Sequence, residues 1–336
     1  MRATIYDVAK QAGVSIATVS KVVNQTGNIS QTTRELVIEV MKELEYEPSS
    51  IASALTGKET GTIGLLVPDL ANPFFAEVAR KIEDEAQALG LGVVACSTDL
   101  DDEKVERYVS LLSQKRVDGL IVASIVTNSS ILQKLVKQNI PLLLFSVDIP
   151  SLGVDTVSLD DYRAGYLATD HLLELGHQRI GTIIENAQSS NYRMQGYTEA
   201  FNVHGIAVPN EHTVQIKSTF EHGRKAANEL LSQENPPSAI IAFNDLLAIA
   251  VLQEANRLGF HVPKDLSVVG FDNTMYAEIS SPPLTTVAQP IDEMSSLTMQ
   301  ILSKRIKKES SHKQRIMLSP ELIKRQSTAA PNSQRI

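Results

Sequence analysis

The sequence predicts a small all-α headpiece that contains a helix-turn-helix, followed by a two-lobed α/β body with Rossmann-like parallel sheets. Near the N-terminus, apolar residues recur at helical spacing on both sides of the short turn Gly13-Val14-Ser15. From Gly61 onward, apolar runs alternate with amphipathic stretches in two successive series, which is typical of parallel sheets with helices on both faces. A chain of 336 residues is long enough for two or three such domains.

The first two helices of the headpiece share one apolar core. Thr4 can cap the first helix, Gly13 permits the sharp reversal, and Ser15 can accept a hydrogen bond from the free N–H groups of the second helix. The residues that we expect in the core are Ile5, Val8, Ala9, Ala12, Val19, Val22 and Val23.

The outer face and front end of the second helix carry short, polar or cationic side chains. These residues are Ile16, Ala17, Thr18, Ser20, Lys21 and Asn24. A major groove admits one helix and is read by the first side chains of that helix, and Ser, Thr, Asn and Lys suit phosphate oxygens and base edges. The pattern therefore predicts a DNA-reading helix. A surface helix pair with a solvated face is the alternative that the pattern alone leaves open.

A third helix is expected to close the headpiece. Ser30 is a good N-cap and Pro48 ends the helical pattern. Its apolar stripe consists of Leu36, Val37, Val40, Met41 and Leu44. Residues 49–57 are also compatible with a helix, but nine residues do not hold a helix alone in water. We expect this segment to fold only against DNA and a second copy of itself.

The charge of the chain is divided unevenly. The net charge is −8, yet residues 1–34 carry four Lys or Arg against Asp7 alone, whereas residues 35–58 carry two against five Glu. The front of the headpiece is therefore basic and suits a DNA groove. The acidic body opposes loose nonspecific binding, so we expect the affinity for DNA to be modest and salt-sensitive unless two headpieces act together.

Several other classes of protein find no support in the sequence. No apolar run approaches the length of a membrane span, and the N-terminus lacks the apolar core of a signal peptide, so we expect a cytoplasmic protein. The single Cys96 is interpreted as a packed strand residue, and His171 and His177 as local packing or capping groups. We see no metal-ligand spacing, no catalytic triad and no cofactor motif, and we expect no enzyme, metal or cofactor.

The apolar runs of the body predict strands, and we expect a ligand to bind at the ends of those strands. These apolar runs include TIGLLVPD, GLIVAS, PLLLFS, RIGTIIE, AIIAFN and LSVVGFD. In open parallel sheets, ligands bind beyond the carboxyl ends of the strands, and two facing lobes form a cleft there. The candidates at these ends are Asp69, Asn72, Phe74, Ser124, Ser146, Asp148, Asn244, Asp245, Asp272 and Asn273. Polar residues at such positions also commonly cap helices in α/β proteins.

Three runs of the sequence carry a resemblance to a known family. TIYDVAKQAGVSIATVSKVVN, TRELVIEVMKELEYEP and IASALTGKETGTIGLLVPDLANPFF resemble the N-terminal signature of the LacI/GalR family of bacterial transcription regulators. The resemblance continues through almost the whole chain. It implies a DNA-binding headpiece at 1–48, a hinge helix and linker at 49–60, and a periplasmic-binding-protein-like core that senses a small ligand.

The resemblance also implies three chain crossings between the lobes of the core. It places lobe one at 61–161 plus 290–325 and lobe two at 162–289, and we expect a flexible tail at 326–336. That tail has no leucine heptad, so the helical segment that makes some relatives tetrameric is missing and we expect a dimer.

For DNA, the resemblance implies that Ile16, Ala17 and Lys21 face bases. The residues expected mostly at phosphates are Thr4, Tyr6, Ser15, Ser20, Asn24 and Asn28. Leu55 would wedge into the minor groove and bend the site, with Ala52 and Ser53 along the groove. Alternatively, Leu55 packs on the core domain. Ser53 stands where many relatives carry a cation.

For the effector, the resemblance implies that Arg193 clasps the ligand and that Asp272 is its acidic partner across the pocket. Phe220 would stack a sugar or base ring. Asn244 and Asp245 also match, although Asp245 alternatively caps the following helix. Ser146 stands where many relatives have Asp. The expected effector contacts are Asn72, Phe74, Ser124, Ser146, Arg193, Phe220, Asn244, Asp245 and Asp272.

Taken together, these observations lead to the hypothesis of a homodimeric, ligand-responsive transcription regulator. We expect it to bind a near-palindromic operator and to act as a repressor. The effector would be a sugar, a nucleobase or a related metabolite. Two alternatives remain open. In the first, a phosphocarrier-type protein acts as corepressor on a lobe-one surface near residues 273–281. In the second, the chain is a secreted solute-binding protein, which would need an export signal and no headpiece, and residues 1–58 argue against it.

Overall fold

The computed structural model describes residues 3–23, 26–46, 59–123, 130–209 and 212–332. The chain divides into two compact units, one ending at Thr60 and one beginning at Gly61. Within the described ranges, no helix has both the length and the apolar character needed to cross a membrane.

The first unit is a three-helix headpiece made of α1 (Ile5–Gln11), α2 (Ile16–Val23) and α3 (Gln31–Glu43). The predicted helix-turn-helix is confirmed, and Gly13 in the turn adopts a positive φ of 65°. Its buried core consists of Val8, Ala9, Ala12, Val19, Val22, Val37 and Val40. The prediction that Leu36 lies in this core is wrong, because Val37 and Val40 set the inward phase of α3 and Leu36 is 44% exposed.

The second unit contains two sheets of six strands each within the described residues. The first sheet has the order β11-β5-β4-β3-β1-β2 and consists of β1 (Thr62–Val67), β2 (Gly92–Ser97), β3 (Gly119–Val122), β4 (Leu142–Phe145), β5 (Asp155–Leu159) and β11 (Arg315–Leu318). The second sheet has the order β12-β10-β9-β8-β6-β7 and consists of β6 (Ile180–Glu185), β7 (Thr213–Ile216), β8 (Ala239–Ala242), β9 (Ser267–Asp272), β10 (Thr285–Ala288) and β12 (Glu321–Ile323). The pairs are parallel except β10 with β12.

Helices cover both faces of the sheets, which is why central strands such as β3, β4 and β8 are buried along their whole length. The helices of the second unit are α4 (Pro73–Ala88), α5 (Asp102–Gln114), α6 (Ser130–Lys137), α7 (Asp161–Glu174), α8 (Gln188–His204), α9 (Phe220–Leu231), α10 (Asp245–Arg257), α11 (Met275–Ile279) and α12 (Ile291–Ile306). The predicted architecture of two parallel α/β lobes is therefore confirmed.

The chain passes between the two sheets three times, after β5, after β10 and after β11. The third passage comes earlier than the predicted boundary at residue 325, because Glu321–Ile323 pairs with β10 in the second sheet. Assigning residues 321–325 to lobe one was therefore wrong. A three-residue edge strand has too little sequence pattern to be recognised before the sheet is seen.

Helices α7 and α8 approach so closely that their backbones touch at two glycines. A Cβ atom on Gly165 would lie 1.9 Å from Arg193 O, and a Cβ atom on Gly196 would lie 1.9 Å from Tyr162 O. Only glycine fits at either position. This contact places the side chains of α8 directly against α7.

Two buried histidines hold the segment that follows β12 against the second lobe. His177 Nε2 lies 2.8 Å from Ala329 O, and His171 Nε2 lies 3.0 Å from Thr328 Oγ1. Both histidines are packed groups, as interpreted, but their hydrogen bonds reach a distant segment of the chain and are not local. The expected flexible tail is wrong for residues 326–332, because buried polar groups of the second lobe bind this polar segment.

We expect the histidines to make the stability of the body depend on pH. Burial, with smaller contributions from Lys324 and His177, lowers the pKa of His171 to about 4. As the pH falls, His171 therefore takes up a proton at a lower pH in the folded state than in the unfolded state. The stability that neutral His171 contributes is fully present above pH 6.5 and is lost as the pH falls toward 4. Between pH 7 and pH 5, wild type should lose about 2 kcal/mol more than His171→Gln in urea unfolding.

The exposed His222 supplies the matched control for this measurement. His222→Gln should keep the wild-type dependence on pH. An equal loss in wild type and His171→Gln would show that His171 does not contribute to it.

Candidate functional site

The N-terminal end of α2 is exposed, and Ser15 caps it. Ser15 Oγ accepts a hydrogen bond from Thr18 N at 3.1 Å, as the sequence predicted, and the two hydroxyl groups lie 2.9 Å apart. Ile16, Ala17 and Lys21 are exposed along this helix. The helix can therefore approach a DNA groove without breaking the hydrogen bond that caps it.

The stem of Lys21 is supported by the loop that follows α2. Gly27, at a φ of 73°, lies so close that a Cβ atom there would be 3.3 Å from Lys21 Cδ. A larger residue at 27 would push the lysine stem away. Of the other predicted DNA contacts, Ser20 and Thr18 are half-buried and Asn28 is exposed.

Thr4 and Tyr6 stand at the start of α1. The Thr4 amide and hydroxyl both donate to Asp7 Oδ2, at 2.9 and 2.7 Å, and these hydrogen bonds lower the pKa of Asp7. Tyr6 is exposed beside them. The remaining predicted contacts lie outside the described residues: Asn24, Ala52, Ser53 and Leu55.

A cavity of about 450 Å³ lies between the lobes of the second unit, beyond the carboxyl ends of strands from both sheets. Lobe one contributes Pro68, Asp69, Asn72, Phe75, Asp99, Leu100, Ala123, Ser146 and Val147. Lobe two contributes Glu185, Asn186, Ala187, Gln188, Ser189, Lys217, Ser218 and Thr219. Polar side chains from both lobes therefore face one space, together with an apolar wall from lobe one.

Among the residues predicted at the strand ends, Asp69, Asn72 and Ser146 line the cavity. Asn72 Oδ1 also caps α4 by accepting from Phe74 N at 3.0 Å. The Phe74 side chain packs in the core of lobe one, and Phe75 lines the cavity instead. Because the helix begins at Pro73, its geometry turns Phe74 toward the core and Phe75 toward the cavity. The expectation that Phe74 contacts the effector was therefore wrong. Ser124 lies outside the described residues.

Arg193 lies in a buried polar cluster of lobe two. Its Nε donates to Asp161 Oδ1 at 2.8 Å, its Nη1 donates to Phe243 O at 2.5 Å, and its Cζ lies 4.4 Å from the centre of the Phe271 ring. Within the described residues, the carboxylate that pairs with the guanidinium is that of Asp161, which we did not single out from the sequence. That Arg193 and Asp272 bind the effector together from opposite sides of the pocket stays a prediction.

Two aspartates at the end of the second sheet are buried close to this cluster. Burial and repulsion from Asp245 raise the pKa of Asp272 well above its usual range, and Gln289 Nε2 donates to it at 2.7 Å. Burial raises the pKa of Asp245 to about 6. Asp245 accepts from Thr274 N at 2.7 Å and from Thr286 Oγ1 at 2.7 Å, so it holds the chain after β9 and does not line the cavity.

Asn244 connects α10 to the cavity wall. Its Oδ1 caps α10 by accepting from Leu247 N at 2.8 Å, and its Nδ2 donates to Ser218 Oγ at 2.6 Å and to Glu185 Oε1 at 3.4 Å. Glu185 lines the cavity and burial raises its pKa. We did not predict Glu185, although a carboxylate at the end of the apolar run RIGTIIE was a usable signal.

Two further expectations are corrected. Phe220 is the first residue of α9 and does not belong to the cavity wall, which its neighbour Thr219 reaches instead. Residues 273–281, expected as a lobe-one surface for a protein partner, follow β9 in the second sheet and therefore belong to lobe two.

Comparisons with known proteins cover both the headpiece and the second unit. Residues 4–49 match the family described as bacterial regulatory proteins, lacI family, and residues 169–328 match a periplasmic binding protein-like domain. The chain is 45% identical to the HTH-type transcriptional regulator DegA of Bacillus subtilis, over 99% of this chain and 100% of that protein. This chain belongs to the LacI family.

Two other LacI-family proteins show how far the similarity extends. The HTH-type transcriptional repressor PurR of Photobacterium profundum is 35% identical over 97% of this chain and 98% of its own length. The lac repressor dimer bound to operator and the anti-inducer ONPF has a TM-score of 0.85 at 28% identity, covering 98% of this chain and 100% of that one. The protein is a DNA-binding transcription regulator with a periplasmic-binding-protein-like core, and these relatives are regulators rather than enzymes.

Proposed function

We propose that this LacI-family protein is a homodimeric transcription repressor that binds a near-palindromic operator and responds to a small molecule in the interlobe cavity. The observation that supports this best is the presence, in one chain, of an exposed α2 and a cavity lined from both lobes. The effector would be a sugar, a nucleobase or a related metabolite, because the cavity combines an apolar wall with many hydrogen-bonding groups.

In the proposed complex, Ile16, Ala17 and Lys21 face base edges. Lys21 can bond to guanine, and Ala17 can offer only an apolar contact to a thymine methyl group. The residues proposed mostly for phosphate contacts are Thr4, Tyr6, Ser15, Ser20, Asn24 and Asn28, and Thr18 is proposed as a further DNA contact. Leu55 is proposed as the minor-groove wedge, flanked by Ala52 and Ser53.

Exposed apolar groups on the second unit support the proposed dimer. The strand β2 lies at the end of the first sheet, and its Val94 is 42% exposed. On α11, Met275 and Ile279 are 65% and 66% exposed. An apolar edge strand and an apolar helix face are typical of surfaces that a partner covers. A second copy of the chain would cover both.

The cavity supports control by a ligand because its walls belong to different lobes. A ligand that binds one arrangement of the lobes more tightly than another shifts the population toward that arrangement. Tight binding alone would not switch the protein, since only the difference in affinity between the two arrangements changes their ratio.

Selection of bound sequences from a random DNA pool tests the proposal. We expect a palindromic site, and we expect Lys21→Ala to bind it at least about fivefold more weakly, because a lost lysine-to-guanine contact costs about 1–3 kcal/mol. Filter binding of the selected site at one salt concentration measures this loss. Adding sugars and nucleobases to the same assay tests the effector.

Lys42→Ala is the charge-matched control, because Lys42 lies in the last turn of α3 and is also exposed. It should bind the selected site as wild type does, apart from a small uniform loss. Equal weakening by both variants would contradict the role of Lys21. A monomer in sedimentation at the protein concentrations used for binding would contradict the proposed dimer.

A further inference from the structure

A side-chain amide joins the two lobes at the wall of the cavity. Gln188, the first residue of α8 in lobe two, donates from Nε2 to Asp148 O at 2.9 Å. Its Oε1 accepts from Asp148 N at 3.0 Å. Asp148 follows β4 of lobe one, so both hydrogen bonds cross the cleft.

The two hydrogen bonds join the side-chain amide of Gln188 to the backbone of Asp148. The Gln188 amide nitrogen and oxygen each form one of these hydrogen bonds, with the carbonyl and the N–H group of Asp148. Neighbouring β-strands exchange backbone hydrogen bonds in the same two-way manner. The Asp148 carboxylate points to another partner, the Arg315 guanidinium on β11. The loop of lobe one is thus held from both directions, and Gln188 supplies the contact with lobe two.

The position of the pair ties it to the shape of the cavity. Ser146 and Val147, directly before Asp148, line the cavity from lobe one, and Ser189 and Gln188 line it from lobe two. Separating the lobes at this wall would expose four hydrogen-bonding groups that now satisfy each other. Water would replace these partners, so the cost of opening is modest rather than prohibitive.

We propose that Gln188 is an interlobe latch that holds the two lobes together at the cavity wall. Its proposed function is to position the lobes, because both atoms of its amide bond to the backbone of Asp148 across the cleft. An effector therefore meets a cavity whose width is already set at this wall. The inference concerns lobe closure alone and holds whichever ligand or operator the protein recognises.

Distances between spin labels in the full-length protein test the latch. Cysteines at the exposed Lys137 of lobe one and Lys225 of lobe two, in a Cys96→Ser background, report the separation of the lobes. Labelled chains are mixed with a large excess of unlabelled chains so that distances within one chain dominate. We expect one short distance for the unliganded protein.

Gln188→Met keeps the length of the side chain and removes both hydrogen bonds. Two neutral hydrogen bonds correspond to about a tenfold change in the ratio of closed to open lobes, so a longer distance should become populated. Gln188→Glu keeps an acceptor for Asp148 N but places a carboxylate against Asp148 O, and it should open the lobes as well. Gln195→Met, at an exposed position of the same helix, should leave the distance unchanged.

Each outcome bears on the proposal. Longer distances in both Gln188 variants, with Gln195→Met unchanged and all variants folded by circular dichroism, would support the latch. Unchanged distances in Gln188→Met and Gln188→Glu would overturn it, and so would a wild-type protein that is already open without ligand. A shift of the same size in Gln195→Met would assign the effect to α8 in general and would also overturn it.

Discussion

Replacing Arg193 by methionine is expected to destabilise the second unit by about 3–5 kcal/mol, because the change leaves the buried Asp161 carboxylate without its partner. Asp272 and Glu185 also lose the nearby positive charge that opposes the rise of their pKa. The loss should grow as pH rises, since burial raises the pKa of these carboxyl groups and their ionised forms are the ones that need the guanidinium. Urea unfolding at pH 6 and pH 8 measures it.

Arg224→Met is the matched control for this prediction. Arg224 is partly exposed and bonds to Glu254, which keeps a second arginine, Arg257, at 2.5 Å. The control should cost no more than about 1 kcal/mol. A double variant, Arg193→Met with Asp161→Leu, should recover part of the stability. If Arg193→Met and Arg224→Met destabilise equally, the buried cluster does not depend on Arg193 in the way that its geometry indicates.

This result would change how a loss of ligand response is interpreted. Arg193 is the residue that family resemblance assigns to the effector, yet it already holds Asp161 and Phe243 O in the structure. A variant without it loses these two buried hydrogen bonds as well as a proposed ligand contact. Measurements of ligand response in Arg193 variants therefore need a stability measurement beside them.

Replacing Gly196 by alanine is expected to cost more than about 3 kcal/mol, or to prevent folding of the second unit, because a Cβ atom there would overlap backbone atoms. It would lie 1.9 Å from Tyr162 O and 2.6 Å from Tyr166 N. Backbone atoms of a packed helix do not move aside as the end of a flexible side chain does. Thermal unfolding followed by circular dichroism measures the effect.

Gly92→Ala serves as the control, because the nearest atom to its added Cβ would be Gly61 O at 3.7 Å, an ordinary contact. Its stability should stay close to that of wild type. A Gly196→Ala protein with wild-type stability would mean that α7 and α8 are spaced more widely than the structure shows.

Periodicity alone was sufficient for the helices of the headpiece and for the alternating order of the body. It worked because Val8, Val19 and Val22 pack in one small core, and because buried parallel strands appear as continuous apolar runs. Ser15 was predictable as a helix cap for a local reason, since the hydrogen bond reaches only three residues along the chain.

The interior of the candidate site could not be predicted in the same way. Asp160 and Asp161 are identical neighbours in the sequence, yet Asp160 caps α7 at the surface and Asp161 pairs with Arg193. Phe74 and Phe75 are likewise adjacent, and only the phase of α4 decides which one reaches the cavity. Such choices depend on contacts between distant segments, which a local pattern does not contain.

The short strand β12 has a consequence for how the protein is made. Each sheet of the body receives its last strand from residues beyond 314, β11 for the first and β12 for the second, whereas the three headpiece helices are complete by residue 43. On the ribosome, the headpiece emerges long before either sheet can be completed. A chain interrupted near residue 310 would therefore carry an intact DNA-reading unit on a body in which both sheets lack an edge.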